Sequence, residues 1–234
     1  MEWIESRLRE LADEDDAYRT FNARVVATAD PATMLGVRVP RLRKLAREVE
    51  RSGDADAFLD ELPHALFEEY LLHAFVLDDE RDLDALLRRV DELVPHVDNW
   101  CVCDALAPRA LRGADEGLLV GLARRYLASD LEFGRRFGVS VLMRDLLPAH
   151  FSPEQLEWAA AADDGRYCVR MMVAWYVAEA IVTQEEAVLA LLAGGGLSPA
   201  TSRAAIQKGL ESRRVPEGTK GRLRELRRQV ARRS

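Results

Sequence analysis

Residues 131–147 read LEFGRRFGVSVLMRDLL, a segment that carries apolar side chains on nearly every face of a predicted helix. A surface helix has one apolar stripe and one polar face, whereas a helix that is apolar almost all round is buried. The apolar positions are Phe133, Phe137, Val139, Val141, Leu142, Leu146 and Leu147. We therefore expect this helix to lie at the centre of the fold.

The chain on both sides of this segment is also predicted to be helical. Ala, Leu, Glu and Arg dominate it, and no hairpin dipeptide separates alternating apolar runs. Ser152-Pro153-Glu154-Gln155 and Thr183-Gln184-Glu185-Glu186 match the capping-box pattern of a helix start, and Ser198-Pro199 opens another helix. The predicted helices are 2–13, 15–28, 40–51, 63–78, 82–93, 98–112, 116–128, 131–147, 153–162, 166–182, 185–193, 199–213 and 216–232.

The rhythm of these helices predicts an all-α fold. Consecutive helices of about 10–17 residues with short connections suit antiparallel pairs stacked as HEAT-like helical repeats in a curved solenoid, an α-α superhelix. The sequence has no strict internal period, so an irregular helical bundle is the alternative. We expect a single domain over residues 1–234, in which residues 1–30 form peripheral N-terminal helices.

The composition is that of an ordinary folded protein, with 48% hydrophobic and 31% charged residues in a chain of 234. No apolar run approaches the ~18 residues of a transmembrane helix, and residues 1–16 lack the apolar core of a secretory signal. We therefore expect a cytoplasmic protein with no membrane contact.

Metal and cofactor motifs are missing from the sequence. Cys101, Cys103 and Cys168 are an odd set without a CxxC pair, which argues against disulfides and zinc and favours small core residues. The four scattered histidines have no ligand spacing, and the P-loop, GxGxxG, HExxH and GxSxG patterns are absent. We expect neither a metal nor a cofactor.

Charge is distributed unevenly along the chain, whose net charge is −7. Residues 201–234 hold 11 basic against 3 acidic side chains, a balance of +8. The other 200 residues hold 22 basic against 37 acidic side chains, a balance of −15. A basic end can supply affinity for phosphates, although a solvated basic helix explains the same pattern.

The segment 97–106, VDNWCVCDAL, is a candidate site. On a helix, Val102, Ala105 and Leu106 form the apolar stripe, while Trp100 and Asp104 lie four residues apart on the opposite face. A tryptophan beside a carboxylate and away from the buried stripe suggests ligand contact. The alternative is that Trp100 packs against a second layer and Asp104 caps or pairs locally.

A second tryptophan is similarly placed in residues 166–177, RYCVRMMVAWYV. Trp175 points roughly 120° away from the main apolar stripe, so Tyr176 is the better core candidate of the two. The predicted stripe consists of Val169, Met172, Val173, Tyr176 and Ala180.

Basic side chains offer candidates for phosphate contact. Arg136 stands on the apolar helix of residues 131–147, where an arginine needs either a protein carboxylate or a phosphate as a partner. A second group clusters around Pro40 at a helix start, where the helix dipole favours an anion. Taken singly, each exposed basic residue is explained as simply by a solvated face. The candidates are Arg38, Arg41, Arg43, Lys44, Arg203 and Lys208.

Taken in order, several of these segments resemble the AlkD-type DNA alkylation repair family. They run over roughly residues 35–212 and end in a segment that is similar to the family's closing helix. The similar segments are 35–45 (LGVRVPRLRKL), 62–72, 98–104 followed by Pro108, Arg136 before Gly138-Val139, Trp175, and 204–208 (AAIQK).

The resemblance implies a function as well as a fold. It implies HEAT-like repeats whose concave face binds alkylated double-stranded DNA, and a monofunctional DNA glycosylase that excises 3-methyladenine and 7-methylguanine without a cofactor. On the same resemblance, Asp104 is the catalytic carboxylate, Trp100 and Trp175 flank the lesion nucleotide, and Arg136 contacts its backbone. We expect the protein to act as a monomer.

Two positions depart from the family pattern. Cys101 follows Trp100 where the better-known branch has an acidic residue, and Ala178 stands where a basic residue is expected, so the chain resembles a divergent bacterial branch. Two other functions stay open. One is a non-catalytic protein that binds bent or branched DNA on the same scaffold, and the other is a HEAT-like protein-interaction scaffold, which the −15 balance of residues 1–200 favours.

Overall fold

The computed structural model of the chain describes residues 2–12, 16–26 and 28–232, and all regular structure in these ranges is helical. The all-α prediction is therefore confirmed. The α-helices are α1 (Glu2–Leu11), α2 (Asp16–Val25), α3 (Val39–Ser52), α4 (Ala55–Leu59), α5 (Phe67–Leu77), α6 (Leu83–Leu93), α7 (Trp100–Ala105), α8 (Glu116–Leu127), α9 (Glu132–Val141), α10 (Pro153–Ala162), α11 (Tyr167–Ala180), α12 (Glu185–Gly194), α13 (Pro199–Glu211) and α14 (Glu217–Arg232).

The chain divides into two compact units, an N-terminal unit (Met1–Gly113) and a C-terminal unit (Ala114–Ser234). In the N-terminal unit, α5 packs against both α3 and α7, while α1 and α4 pack against α3. The single domain and the curved solenoid stay predictions.

The C-terminal unit has two layers of helices. Helix α11 packs between α9 and α13, and α14 packs against α13 to continue this layer. Helix α10 contacts both α8 and α12 in a second layer, and α8 packs against α9 across the two. This arrangement of paired helices in two layers is that of stacked helical repeats.

Helix α9 is the buried helix that residues 131–147 predicted. Phe133, Phe137, Val139 and Val141 are all buried, and the helix continues into one wide π-helical turn at Leu142–Leu146. A Cβ atom at Gly138 would lie 2.7 Å from the backbone nitrogen of Leu127 and 3.1 Å from the carbonyl oxygen of Ala123. Gly138 therefore permits the close packing of α9 on α8.

The largest differences from the predicted helices concern α7 and α4. The predicted helix 98–112 ends at Ala105, because Pro108 has no N–H to continue the hydrogen-bond ladder, and a 3₁₀ turn at Arg109–Gly113 follows. The short helix α4 was not predicted, since five residues are too few to show a helical period.

The predicted capping boxes were wrong in detail. The Ser152 side chain does not cap α10, and the Gln155 side chain instead donates a hydrogen bond of 2.6 Å to the carbonyl oxygen of His150. Helix α12 begins after Gln184, whose side chain does not cap it. At α13 the prediction is confirmed, since the hydroxyl oxygen of Ser198 accepts a hydrogen bond of 3.1 Å from the Thr201 N–H.

Candidate nucleic-acid interface

The basic start of α3 is held in place by a buried carboxylate on α5. The side chain of Glu68 is fully buried and accepts hydrogen bonds from the backbone N–H groups of Leu35, Gly36 and Val37 at 2.9, 2.7 and 3.2 Å. Gly36 has a φ of +88°, a conformation that favours glycine. These contacts fix the backbone that leads into Arg38.

The basic residues of this segment have different surroundings. The Arg38 guanidinium lies 4.5 Å from the centre of the Tyr18 ring. The Arg43 guanidinium lies 4.1 Å from the centre of the Phe75 ring, and its Nη1 is 3.3 Å from Oδ2 of Asp78. Lys44 is exposed. Because Asp78 offsets part of the charge on Arg43, Lys44 is a stronger candidate than Arg43 for phosphate contact.

Asn99 fixes the start of helix α7, which carries Trp100 and Asp104. The buried Asn99 side chain accepts a hydrogen bond of 3.0 Å from the Val102 N–H and donates one of 2.8 Å to Asp98. Trp100 is the first residue of the helix, and Asp104 follows one turn later. Both side chains are half-buried, so each keeps part of its surface accessible.

Trp100 contacts the end of α2. Its indole Nε1–H donates a hydrogen bond of 3.2 Å to the carbonyl oxygen of Val25. This bond satisfies the polar atom of the ring and fixes the orientation of the ring face. Trp100 therefore packs locally through the edge of its ring that carries Nε1, as the alternative interpretation expected, and the residue remains partly exposed.

The Cys101 thiol, which lies between these two residues in the sequence, is unreactive at neutral pH. Burial, together with the nearby charge of Asp104, raises the pKa of Cys101 to about 11. A thiol with such a pKa is protonated at neutral pH and is a poor nucleophile and a poor metal ligand. Cys103 and Cys168 are buried, as expected of small core residues.

Helix α11 has the two faces that its sequence predicts. All five residues of the predicted stripe are buried, including Tyr176, which has no exposed surface. Trp175 is 38% exposed. A large aromatic ring at the surface contributes little to the core and is available for contact with another molecule.

Arg136 on α9 is buried, with only 6% of its surface exposed. Its Nη1 donates a hydrogen bond of 2.7 Å to the carbonyl oxygen of Cys168 in the first turn of α11. Glu132, one turn earlier on α9, accepts a hydrogen bond of 3.0 Å from the Cys168 N–H. Two side chains of α9 therefore hold both backbone groups of one residue in the helix that carries Trp175.

The remaining basic candidates lie on α13. Arg203 is exposed and Lys208 is half-buried. Between them, Gln207 accepts a hydrogen bond of 3.4 Å from Nη1 of Arg227 on α14. Arg227 was not among the residues selected from the sequence.

The sequence-based selection also missed an aromatic residue on α11. Tyr167 is 64% exposed, and the Arg170 guanidinium lies 5.7 Å from the centre of its ring. Tyr167, Met171 and Trp175 are spaced four residues apart, so they share one face of the helix. Because this spacing from Trp175 is visible in the sequence, Tyr167 could have been predicted to lie on the same face of the helix.

The predicted site residues fall into two groups. The first group lies in the N-terminal unit. Arg38 directly precedes α3, Arg43 and Lys44 lie on α3, and Trp100 and Asp104 lie on α7. Both helices pack on α5. The C-terminal unit contains Arg136, Trp175, Arg203 and Lys208, carried by the adjacent helices α9, α11 and α13. That the two groups converge on one surface stays a prediction.

Within 2–12, 16–26 and 28–232, no group of three or more His, Cys, Asp or Glu side chains is arranged to hold a metal ion. None of the helices in these ranges combines the length and the hydropathy needed to cross a bilayer.

Comparison with known proteins gives one match. Residues 4–208 match the model of the family described as DNA alkylation repair enzyme. No curated protein and no solved structure gives a significant match. Because the match covers most of the 234 residues, the chain belongs to the DNA alkylation repair enzyme family.

Proposed function

We propose that the protein binds alkylated duplex DNA and hydrolyses the N-glycosidic bond of purines alkylated at N3 or N7. The observation that carries this proposal is the pair Trp100 and Asp104 on α7 of a chain from this family. The two residues lie one turn apart and both are half-buried. Such a pair offers an aromatic face and a carboxylate to one ligand.

The chemistry of the proposed substrate suits a single carboxylate. A purine alkylated at N3 or N7 is cationic, so the C1′–N bond breaks with its electron pair passing to the base, which leaves neutral. Water then adds to C1′ and loses a proton to Asp104 or to solvent. A carboxylate near the oxocarbenium-like sugar is worth about 10²–10³ in rate, by analogy with other electrostatic groups in active sites.

The other residues take binding roles in this proposal. The faces of Trp100 and Trp175 lie beside the cationic nucleotide, where a cation–π contact is worth about 0.5–2 kcal/mol. Arg136 acts through α11, whose first turn it holds. The remaining basic candidates bind phosphates and give affinity without sequence preference. They are Arg38, Arg43, Lys44, Arg203 and Lys208.

Release of 7-methylguanine from a methylated duplex tests the proposal. The wild-type protein is expected to release the free base and leave an abasic site, which alkali then cleaves. Binding to the duplex without release supports a non-catalytic DNA-structure-binding protein instead. Absence of duplex binding even at low salt supports a protein-interaction scaffold.

A further inference from the structure

Helix α14 lies beyond residue 208, where the family match ends, and it has two unlike flanks. Its buried stripe is Thr219, Leu223, Leu226 and Val230. On the flank that faces α12, Nη1 of Arg222 lies 3.0 Å from Glu185 and 2.5 Å from Glu186. The charge on this flank is neutralised within the protein.

The rest of the exposed surface of α14, the arginine flank, carries the ion pair of Arg224 with Glu217 and three more exposed arginines, Arg227, Arg228 and Arg232. In the part of the chain that the structure describes, no carboxylate lies within ion-pair distance of any of them. Even Glu225, three residues before Arg228, does not pair with it. Arg228 and Arg232 are one turn apart, a spacing at which like charges repel each other.

The helix dipole accounts for only part of this pattern. The C-terminal end of a helix favours cations, so a basic last turn by itself indicates no ligand. The dipole does not account for the contrast with Arg224, which pairs with Glu217 of the same helix at 2.6 Å while Arg227, Arg228 and Arg232 pair with no carboxylate among the described residues. An external anion on the arginine flank would supply a partner for these three arginines.

The arginine flank also adjoins the basic face of α13. Arg227 donates a hydrogen bond to Gln207, which lies one residue before Lys208 and one turn after Arg203. Arg227 therefore adjoins the face of α13 on which two of the candidate phosphate-binding residues lie, and Arg228 and Arg232 follow it on α14.

We propose that Arg227, Arg228 and Arg232 of α14 bind the phosphate backbone of duplex DNA. Arginine presents a planar fork of N–H donors that matches a phosphate, and such contacts give affinity without reading the base sequence. This role lies outside the segment that the family model matches and rests on the proposed function, because it takes the ligand to be DNA.

Matched charge removal tests the proposal. The test variant is R227Q/R228Q/R232Q, and the control variant is R9Q/R88Q/R222Q, which removes three exposed arginines that each pair with a carboxylate. Both variants lower the net charge by three, and glutamine is a good helix former. Circular dichroism checks that both are folded. Affinity for a short fluorescein-labelled, undamaged duplex is measured by anisotropy at several salt concentrations.

The expected result is a change in the salt dependence of binding. Each phosphate contact contributes about 0.9 to the slope of log K against log salt, so the test variant should lose up to about 2.7 from that slope. The control variant should keep the wild-type slope. Affinity of the test variant near 0.1 M salt should fall roughly tenfold or more.

Other results overturn the proposal in distinguishable ways. A test variant with the wild-type slope removes the role of α14 and leaves the proposed function standing. If the control variant loses as much of the slope as the test variant does, the effect comes from net charge alone. A wild-type protein that binds no duplex rejects DNA as the ligand altogether. If the test variant keeps the wild-type DNA slope but binds polyglutamate more weakly than the wild type does, the flank binds an acidic protein partner instead.

Discussion

Asp104 is the one carboxylate of α7, and its charge affects the ionisation of Cys101 on the same helix. It contributes to the raised pKa of Cys101, which leaves that thiol neutral at physiological pH. The hydrogen bond to Val25 holds the Trp100 ring, and Asp104 follows Trp100 one turn later on the same helix. A negative charge beside a fixed aromatic face suits a cationic ligand.

We predict that Asp104→Asn lowers the rate of 7-methylguanine release by about 10²–10³. The side chain keeps its size but loses the charge that stabilises the cationic sugar. Affinity for the duplex should stay the same or rise, because a charge that repels phosphate is gone. Asp84→Asn, at an exposed position on α6, makes the same charge change as a control. An unchanged rate in Asp104→Asn rejects the carboxylate role.

For Arg136, burial changes the expected effect of substitution. Arg136→Ala removes a hydrogen bond from a buried guanidinium to the Cys168 carbonyl, and a hydrogen bond made by a charged group contributes about 1.5–3 kcal/mol. We predict a loss of unfolding free energy of that size, measured by urea denaturation. Arg170→Ala, on a half-exposed part of α11, should cost less. Weaker DNA binding at unchanged stability shows instead that Arg136 contacts the nucleotide directly.

At the scale of elements, burial was predicted best on the long helices, where the apolar pattern extends over several turns. Helices α9 and α11 have ten or more residues, and the apolar side chains that the sequence predicted to be buried in them are buried. The partner of Arg136 was not predictable, because a carbonyl 32 residues away meets it only through packing. The Trp100 bond to Val25 spans 75 residues and was hidden for the same reason.

Two histidines join α5 to the segment before it. Nε2 of His64 lies 2.9 Å from Nδ1 of His73, and the His64 ring stacks on Phe58 of α4 with centres 4.9 Å apart. Burial lowers the pKa of His64 to about 4 and that of His73 to about 3. Glu61 opposes the shift at His64, while Arg89 and His96 add to the shift at His73.

This pair is predicted to make stability depend on pH. A histidine whose pKa is lowered by folding stabilises the protein above the unfolded pKa of about 6.5, and the stability is lost as the pH falls toward 4. Between pH 7 and pH 5, His73 should account for a loss on the order of 2 kcal/mol. Urea unfolding at both pH values measures this loss.

The variants His73→Leu and His150→Gln separate this effect from general acid sensitivity. His73→Leu should reduce the difference in unfolding free energy between pH 7 and pH 5. His150→Gln, in the C-terminal unit, should leave that difference as it is in the wild type. If His73→Leu shows the wild-type pH dependence, the buried pair is not its source.

At the scale of the whole molecule, the sequence predicted where positive charge accumulates but not which charges are neutralised. Residues 201–234 carry a balance of +8, yet Arg222 pairs with two glutamates of α12 and Arg227 does not pair with a carboxylate among the described residues. Ion pairs between helices depend on tertiary packing, which spacing along one helix does not reveal. The same limit applies to the proposed site residues, some of which lie in one unit and some in the other.

If Asp104 and Trp175 act on one nucleotide, their contributions to catalysis depend on each other. Trp175 would hold the lesion against the Asp104 carboxylate, so removal of the ring makes the carboxylate less effective. Residues that act as a unit in an active site show strongly non-additive losses when they are removed together. Trp175 is 38% exposed, so its replacement is not expected to unfold the protein.

We therefore predict that Asp104→Asn and Trp175→Ala combine less than multiplicatively in the rate of 7-methylguanine release. Trp175→Ala alone should slow release roughly 2- to 30-fold, the equivalent of a cation–π contact of about 0.5–2 kcal/mol. In the double variant, the loss should be clearly smaller than the product of the two single losses. Asp84→Asn combined with Trp175→Ala serves as the independent pair and should be multiplicative. A multiplicative loss for Asp104 and Trp175 means that the two residues do not act on the same nucleotide, because coupling through a shared substrate is the only link that the proposal gives them.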